Sequence, residues 1–584
     1  MFSKPKDPLF TDGPTSSART RRRRFLRKLS PSEKLIGFAL LAIVVSSGFI
    51  LASRASGDFV KEVPASGGEF TEGIVGSPRF INPLLAISNA DRDLTALVYA
   101  GLMRSTNMGL RPELAESFSI SEDGLTYQFT LRQDATFHDG RPVTADDVLF
   151  TIEAVQNSAI KSPRFANWEG VSAIKVSDYE VEFRLEEPYA PFLENTTLGI
   201  LPKHIWEFAS AEEFPFSEFN ISPIGAGPFR IDKIRRNDAG IPETYELVRF
   251  NEYALGRPHI KGLNVRFFRN EDEAIEAYLA KDIDALNSVT PNRATELDPA
   301  DPRIIRSPLP RIFGVFFNQN RAAIFARQEV REALDIVIDK QALVDSVLFG
   351  YGTPINSPIP IEVFPESMRD TISASSTDER YAEAAEILEA HGWERNATTN
   401  VWERESNEGV ARLTFSISTS NTPELAAASE YLATVWRDFG ADVSVEVYEP
   451  SDLSQNVIRP RRYDALFFGE IIGRELDLFA FWHSSQRNDP GLNIAMYTSI
   501  SADALLKRAR TTSEASERLA AYAEFEEEIQ SDAAAVFVYS PDFIYIAPKQ
   551  VQNISIDAAA EPSERFLNIH EWYIETQREW HIFD

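Results

Sequence analysis

Residues 114–150 read LAESFSISEDGLTYQFTLRQDATFHDGRPVTADDVLF, and their pattern predicts a strand, a turn and a capped helix. Every second residue of 125–131 is apolar, which is the period of a strand with one buried face. Gly124 precedes this strand and favours a turn, because glycine readily adopts a positive φ. Thr144 stands three residues before Asp147, which is typical of a helix N-terminus. The stretch therefore joins a half-buried strand to a helix.

The length and composition indicate a folded protein of several domains. The chain has 584 residues, whereas one domain usually takes ~100–200, so we expect two or three domains. Hydrophobic residues make up 43% and aromatic residues 11%, which is typical of folded and not disordered chains. There is no cysteine, which excludes disulfides, cysteine nucleophiles, thiolate metal sites and a lipidated N-terminal cysteine.

The charge is strongly acidic and unevenly distributed. The net charge is −29, but residues 1–54 contain 11 Lys and Arg against 3 Asp and Glu, so this segment carries +8 and the remainder −37. An acidic body repels nucleic acid and anionic lipid, so we expect no nucleic-acid partner. The acidic surface favours solubility and leaves cationic ligands open.

An uncharged segment near the N-terminus predicts a transmembrane helix. Residues 35–52 run 18 positions without a charge, and at ~1.5 Å per residue they span roughly 27 Å, close to the ~30 Å hydrocarbon core. The arginines at 21–24 precede it, so the positive-inside rule places the N-terminus in the cytoplasm. We predict a retained anchor in the bilayer over residues 35–53. The small residues at 52–55 leave a cleaved signal peptide as the alternative.

The rest of the chain alternates strand and helix patterns. Residues 171–186 predict a β-hairpin. Thr422-Pro423-Glu424 begins a helix that ends at Gly440, between strand patterns at 413–417 and 443–447. A strand, a helix and a strand with short joints form a βαβ unit, which predicts two parallel strands.

No catalytic, metal or cofactor motif occurs in the sequence. The seven histidines are isolated, and neither H-E-x-x-H, G-x-S-x-G nor G-x-x-x-x-G-K-[ST] is present. Gly225-x-Gly227 lacks the third glycine of a dinucleotide loop, and Pro228 would interrupt the helix that such a loop requires. We therefore expect no catalytic residues, no metal site and no cofactor.

The stretch at 114–150 closely resembles the signature of family 5 extracellular solute-binding proteins, which serve ABC importers of oligopeptides, dipeptides and nickel. Asn82-Pro83-Leu84, the segment 222–230 and FWHSSQ at 481–486 are also similar to the family, and the resemblance covers residues 67–580. It implies an α/β, two-lobed periplasmic-binding-protein-like fold (type II) with an additional inserted subdomain, preceded here by one N-terminal transmembrane helix. The expected parts are a basic cytoplasmic tail (1–34), the transmembrane helix (35–53), a linker (54–66), lobe I (67–110, 222–312 and 541–584), the inserted subdomain of lobe I (111–221) and lobe II (313–540).

The resemblance also implies a ligand cleft between the lobes. In the peptide binders an Asp in a pattern like DY-x-[DE]-P pairs with the ligand's α-amine. Here Glu475-Leu476 stands where [DE]-P is expected and Ile472 falls at the Asp, so Glu470 or Asp477 would have to substitute. Trp482 is either a packing residue or a ligand contact. The cleft candidates are Phe80, Asn82, Asn318, Asn320, Phe468, Gly469, Glu470, Glu475, Asp477 and Trp482.

These inferences predict a membrane-anchored, extracytoplasmic solute-binding protein of a bacterial ABC transporter. It would capture oligopeptides or peptide-like ligands, deliver them to a permease in the cytoplasmic membrane, act as a monomer and have no enzymatic activity. Its place would be the periplasm or the outer surface. There are two alternatives. The first is a binding protein for a different solute, such as a metal chelate or a sugar oligomer, and the second is a receptor or chaperone that uses this fold without transport. A surface hydrolase is disfavoured by the missing catalytic motifs.

Overall fold

The computed structural model describes residues 30–58, 60–106, 109–297, 303–360, 375–406, 409–474, 476–512, 514–556 and 559–580, and these form two compact units. The first unit comprises the described residues between positions 30 and 65 and between positions 575 and 580. It contains helix α1 (Pro31–Asp58) and an antiparallel pair of strands, β1 (Val60–Pro64) and β23 (Thr576–Trp580). Within the described ranges no helix is both long and apolar enough to cross a bilayer. The transmembrane helix predicted over residues 35–53 is therefore not supported, and neither is the cytoplasmic N-terminus that depended on it.

The second unit, Ser66–Ile574, has two lobes built on one system of twelve strands, counted over the described residues. Lobe I contains β2 (Glu69–Val75), β9 (Phe229–Arg236), β10 (Pro242–Arg249), β11 (Gly262–Phe268), β12 (Ala285–Leu286) and β13 (Ile304–Pro308). Lobe II contains β14 (Arg311–Phe317), β15 (Gly352–Pro354), β19 (Thr414–Ser420), β20 (Asp442–Tyr448) and β21 (Ala465–Ile471). The long strand β22 (Ala535–Ile546) belongs to both lobes.

Strand β22 is where the lobes join. Its first half pairs with β14 and its second half with β12 and β13. The connection from β13 to β14 crosses beside it, because the Leu309 N–H donates to the Pro541 carbonyl at 3.1 Å. The Ser540 hydroxyl donates to the Leu309 carbonyl at 2.7 Å. The two adjacent crossings hold the lobes together, and the predicted two-lobed α/β fold is confirmed.

The stretch at 114–150 folds as its pattern predicts. It forms strand β6 (Thr126–Leu131), which follows a turn at Gly124 with φ +67°, and helix α3 (Ala145–Val155). The side chains of Tyr127, Phe129 and Leu131 are buried. Thr144 and Asp147 form a reciprocal capping box at the start of α3. The strand lies in a four-stranded antiparallel sheet whose order is β5 (Ala115–Ile120), β6, β8 (Glu180–Leu185) and β7 (Val171–Ser177).

Lobe II has helices on both faces of its sheet. Strand β14 shows this, because Val315 and Phe317 pack into one hydrophobic cluster while Ile312 and Phe316 pack into another. Strands β19 and β20 are parallel and are joined by the helix at Pro423–Phe439, so the predicted βαβ unit is confirmed. The lobe II helices of two or more turns are α5 (Gln328–Ile336), α6 (Lys340–Val347), α7 (Thr377–Ala390), α8 (Pro423–Phe439), α9 (Ile500–Thr511) and α10 (Ala515–Ser531).

The remaining elements are short or peripheral. They include helices α2 (Asn89–Val98) and α4 (Glu271–Leu279) of lobe I and strands β3 (Met103–Thr106), β4 (Gly109–Pro112), β16 (Glu394–Arg395), β17 (Trp402–Ser406) and β18 (Gly409–Arg412). Short helical turns occur at Phe165–Trp168, Phe192–Asn195, Lys203–Trp206, Phe214–Phe216, Glu218–Asn220, Pro291–Ala294, Ala323–Ala326, Pro450–Asp452, Leu453–Ile458, Phe479–Trp482, Ser484–Gln486, Pro562–Phe566 and Ile569–Glu571.

The glycine pair at 225 and 227 serves a close approach of two backbones. The Gly227 N–H donates to the Val98 carbonyl oxygen at 2.8 Å. A Cβ on Gly227 would lie 2.5 Å from the Val98 carbonyl carbon, which is too close for any side chain. The two glycines therefore allow the chain that leads into β9 to pack directly against the end of α2. Helix α2 in turn lines the candidate site.

Candidate functional site

A cavity of about 410 Å³ lies between the lobes. Four chain segments line it: residues 83–96 and 560–564 of lobe I, residues 471–477 of lobe II, and residues 164–199, which include the end of the four-stranded sheet. Its volume falls in the range of ~300–1,000 Å³ that is typical of small-molecule sites. Because both lobes contribute to the walls, a ligand held there would contact both.

Helix α2 presents one wall of the cavity. Its start is fixed by a capping box, in which the Ser88 hydroxyl accepts from the Asp91 N–H at 3.1 Å and Asp91 accepts from the Ser88 N–H at 3.1 Å. The apolar residues Leu94, Leu97 and Val98 are buried in the core of lobe I. The other side of the helix directs Arg92, Thr95 and Ala96 to the cavity.

The lobe II wall is formed where β21 ends. The Ile472 N–H donates to the Pro310 carbonyl at 2.9 Å, and Gly473 turns the chain with φ +78°. Ile471 is 58% exposed and lines the cavity together with Ile472, Arg474 and Asp477. This wall therefore combines an apolar surface with one cation and one acid.

Polar contacts connect lobe II with the opposite walls. Arg474 forms an ion pair with Glu564 of lobe I. Asp477 accepts a hydrogen bond from the Tyr189 hydroxyl at 3.2 Å and lies 3.4 Å from Arg510. The Arg510 guanidinium stands 5.0 Å from the centre of the Tyr189 ring, within the range of a cation–π contact. These contacts connect the lobe II wall with Glu564 and with Tyr189 on the opposite walls of the cavity.

A smaller inner chamber of about 170 Å³ adjoins the cavity. Both share Thr95, Ala96, Glu194, Thr197, Gly199 and Glu564 as lining residues. The chamber is also lined by Tyr99, Arg104 and Glu113. Arg104 is bound there by Glu113 at 2.7 Å and by the Phe566 carbonyl at 2.9 Å. Over the described residues, the buried hydroxyls of Thr95 and Tyr99 have no hydrogen-bond partner.

Two of the acids at this site have raised pKa values. Burial raises the pKa of Glu564, and the Arg474 guanidinium beside it opposes part of that rise. Burial also raises the pKa of the Tyr99 hydroxyl above its usual value, so it stays protonated at neutral pH. The inner chamber thus presents neutral hydroxyls next to carboxylates.

The structure places several of the predicted site residues away from the cavity. Asn82 is buried, donates to Asn220 at 3.0 Å and accepts from the Leu84 N–H at 2.9 Å. Phe80 donates its N–H to Asp91 at 2.8 Å and is not among the lining residues. Trp482 is fully buried and packs against Phe316, Tyr497, Phe525 and Phe537.

The predicted residues Asn318 and Asn320 follow the end of strand β14, whereas Phe468 and Gly469 lie within strand β21. Asn318 donates to the Arg461 carbonyl at 2.9 Å and accepts from the Asn320 N–H at 3.2 Å. Phe468 and Gly469 are half-buried in β21, where Gly469 pairs with Phe313. Glu475 lies outside the described residues. Of the predicted set, Asp477 is the member that lines the cavity.

Glu470 is buried below the lobe II wall, not exposed in it. It pairs with Ile312 in the sheet, and its side chain lies in the core of lobe II. Neither carboxylate oxygen makes a hydrogen bond of normal geometry in the described part of the chain. Burial raises the pKa of Glu470 well above its usual value, and the indole N–H of Trp482 offsets only part of the rise. The side chain is therefore held in its protonated form.

This buried acid predicts a pH-dependent stability. An unfolded Glu has a pKa of about 4.3, so above that pH the folded state keeps a proton that the unfolded state has lost. Stability therefore falls as pH rises, by up to about 1.4 kcal/mol per unit, until the folded pKa is passed. We expect Glu470→Gln to remove this loss, so that its melting temperature relative to the parent is higher at pH 8 than at pH 5.

Melting curves recorded by circular dichroism at both pH values test this expectation. Glu386→Gln is the matched control, because Glu386 is exposed on helix α7 and its replacement should not change the pH dependence. An equal difference between Glu470→Gln and the parent at pH 5 and pH 8 would contradict it.

The lobe I residues of the site have no local signal in the sequence and were not among the predicted site residues. Arg92, Thr95 and Ala96 lie on an ordinary amphipathic helix, and Glu561 and Glu564 lie in a short segment near the C-terminus. Only the tertiary fold brings them together. Arg474 had a local signal, because it lies between Ile472 and Glu475, which were compared with the family's amine-binding pattern.

Known proteins are similar to this chain over most of its length. The model of the bacterial extracellular solute-binding proteins, family 5 Middle, matches residues 109–492. The oligopeptide-binding protein AppA of Bacillus subtilis (strain 168) is 25% identical over 548 residues, which cover 92% of this chain and 97% of that protein. The structure of Bacillus subtilis AppA in complex with a nonapeptide has a TM-score of 0.66 at 24% identity and covers 88% of this chain and 100% of that one. The structure of NikZ from Campylobacter jejuni in complex with Ni(L-His) has a TM-score of 0.67 at 25% identity. That match covers 86% of this chain and 99% of NikZ.

Proposed function

Because the chain belongs to the bacterial extracellular solute-binding proteins of family 5, we propose that it binds peptides or peptide-like solutes between its lobes and delivers them to an ABC importer. The observation that carries this proposal is the cavity of about 410 Å³ whose walls include segments of both lobes. A ligand at that place is in contact with both lobes, so it favours their closed arrangement. A permease can then distinguish the loaded protein from the empty one.

The walls suit a peptide chemically. A peptide offers backbone N–H and carbonyl groups along its whole length, and each net hydrogen bond contributes about 0.5–1.5 kcal/mol. The cavity provides arginine and carboxylate side chains for charged ends, including Arg92, Arg474 and Glu561, and the apolar side chains of Ile471 and Ile472. The oligopeptide-binding relative supports this class of ligand.

Binding without turnover is part of the proposal. The described residues contain no group of three or more His, Asp or Glu side chains placed to hold a metal ion, and a carrier needs no catalyst. Incubation of pure protein with a peptide mixture should leave the peptides intact by mass spectrometry. Appearance of shorter fragments, lost again in a variant of a cavity residue, would favour a hydrolase.

We also propose that the protein is monomeric and works outside the cytoplasm. The family description supports an extracellular place. Size-exclusion chromatography with light scattering tests the first statement, and proteolysis of intact cells tests the second. Extraction of the cell membranes with carbonate or with detergent tests the predicted membrane attachment through residues 35–53.

Native mass spectrometry of the full chain, purified gently without added ligand, tests the ligand class. A ladder of heterogeneous short peptides released on activation supports the proposed function. A single defined mass that is not a peptide would move the assignment to another solute, such as a metal chelate or a sugar oligomer. An empty protein whose melting temperature ignores a peptide library would favour a receptor or chaperone role.

A further inference from the structure

Two of the acids that line the cavity form ion pairs within the protein. Arg92 of helix α2 lies 3.2 Å from Glu561 in the C-terminal segment. Arg474 forms an ion pair with Glu564, which also accepts a hydrogen bond from the Ala560 N–H at 2.9 Å. Each of these carboxylates therefore has a guanidinium partner that does not depend on a ligand.

The other two acids of the lining are bound by protein groups as well. Asp477 accepts a hydrogen bond from the Tyr189 hydroxyl at 3.2 Å, and its carboxylate lies 3.4 Å from the Arg510 guanidinium. Glu194 accepts a hydrogen bond from the Ser105 hydroxyl at 3.2 Å and has a further interaction within the protein. Among the described residues of the lining, every carboxylate therefore has a protein partner.

Arginine is in excess around these acids. Burial lowers the pKa of Arg311, the Glu561 carboxylate opposes that change and the Arg92 guanidinium adds to it, so one acid serves two arginines. Arg164 also lines the cavity, is exposed and pairs with no acid in the described part of the chain. In the lining or next to its charges, the described residues thus include Arg92, Arg164, Arg311, Arg474 and Arg510 against Glu194, Asp477, Glu561 and Glu564. The cavity is therefore not acidic, although the chain outside residues 1–54 carries −37.

The exposed part of the lobe II wall is apolar. Ile471 is 58% exposed, and Ile472 continues the wall beside it. A ligand ammonium placed there would lose its hydration, would find no unpaired carboxylate and would meet guanidiniums of like charge. A neutral acyl group loses no hydration of a charge and covers apolar surface, so it suits this wall better.

We propose that the cavity selects peptides whose N-terminus carries no charge, such as N-acylated peptides, over peptides with a free α-ammonium. The selection acts by excluding the wrong ligand, because the carboxylates that could bind an ammonium are held by the protein's own arginines. This inference rests on the proposed peptide function and narrows it, since the charged ligand end that the walls can receive is then a carboxylate.

Three pools of tetrapeptides test this preference. The first pool is Ala-X-X-Ala, in which X is Ala, Leu, Phe or Ser, and the second is its N-acetylated form. The third has a propanoyl group in place of the first alanine, which removes the ammonium without adding an acyl group. Equimolar pools compete for the full chain, and native mass spectrometry with fragmentation measures which form is bound. The acetylated and propanoyl peptides should each be bound in about 10-fold or greater excess over the free-amine peptides, because an unpaired buried charge is costly.

Two variants connect the preference to the ion pairs. Arg510→Gln removes the guanidinium beside Asp477, and Arg92→Gln removes the one beside Glu561. Each should reduce the excess of uncharged peptide by about 3-fold or more, because the released carboxylate can pair with an ammonium. Arg508→Gln is the matched control, because Arg508 lies on the same helix as Arg510, is 45% exposed and pairs with an acid outside the lining. Melting curves establish that each variant is folded, and the second variant keeps the test valid if the first is not.

The outcomes separate this inference from the proposed function. If the free-amine peptides are bound as well as the propanoyl peptides or better, the selection for an uncharged N-terminus is wrong while peptide binding stands. If neither variant changes the ratio, or if the control changes it equally, the ion pairs are not its cause and the inference is wrong. If no pool is bound, the proposed peptide function fails and the inference fails with it.

Discussion

Replacing Arg565 by methionine is expected to destabilise the protein by about 3–5 kcal/mol, because it leaves two buried carboxylates without their counter-ion. Arg565, Glu72 and Asp93 are all completely buried. Arg565 donates to Asp93 through two parallel hydrogen bonds of 2.8 Å each, and its Nε donates to Glu72 at 2.7 Å. This bidentate geometry is among the stronger forms of ion pairing.

The network also ties together distant parts of lobe I. Asn287 donates to Asp93 at 2.6 Å, and the Tyr545 hydroxyl donates to Glu72 at 3.2 Å. Residues from β2, α2, the loop after β12, β22 and the C-terminal segment therefore meet at one guanidinium. Its loss would loosen the lobe whose helix α2 forms a wall of the cavity.

Burial already raises the pKa of Glu72 even with Arg565 present, because desolvation exceeds the attraction of the guanidinium. Without Arg565 the hydrogen bond from the Tyr545 hydroxyl opposes only part of that rise, so Glu72 in the folded variant should take up a proton more readily. Stability lost at neutral pH is then partly regained as the pH falls and Glu72 is protonated. The penalty should be smaller at pH 5 than at pH 8.

Guanidinium denaturation followed by tryptophan fluorescence measures the effect. Arg269→Met is the matched control, because Arg269 is 88% exposed and pairs with Glu273 at the surface. Such surface pairs contribute about 0–1 kcal/mol. A free energy of unfolding for Arg565→Met within 1 kcal/mol of the Arg269→Met value would contradict the prediction.

The contrast between Arg565 and the stretch at 114–150 shows what a sequence can predict here. The strand, turn and capped helix of that stretch follow from local periodicity and from Gly124, and the βαβ unit follows in the same way. Arg565 has no such signal, because its partners Glu72 and Asp93 lie almost 500 positions away along the chain. Pairing over that separation is decided by the fold and not by neighbouring residues.

The residues of the site also differ in whether the sequence alone could identify them. The segment around Asp477 could be singled out from its sequence, whereas the contribution of helix α2 could not. Asn82 and Trp482 belong to family-like motifs and are buried and paired or packed internally, and their role as ligand contacts stays a prediction. A family-like motif can therefore mark residues that pack the shared fold as well as residues that contact a ligand.

Replacing Ala96 by tryptophan is expected to weaken peptide binding by more than about 100-fold, since several hydrogen bonds of about 0.5–1.5 kcal/mol each would be lost together. Ala96 is half-buried on helix α2 and lines both the cavity and the inner chamber. An indole at this position would fill the junction between them and exclude a ligand that contacts both. The fold should tolerate it, because Ala96 lines the cavity and tryptophan costs little in a helix.

Titration calorimetry with peptides identified by native mass spectrometry measures the loss, and melting curves measure the stability. Ala382→Trp is the control for the new indole, because Ala382 is exposed on helix α7, away from the cavity. Ala96→Ser changes the same residue but adds little volume. It should keep the parent's peptide affinity if the volume of the indole causes the loss. An Ala96→Trp variant that melts like the parent and binds peptide as tightly would place the ligand outside this cavity. Because Ala96 is one of the six residues that line both spaces, weaker binding by Ala96→Trp would place the ligand in this cavity, beside its junction with the inner chamber.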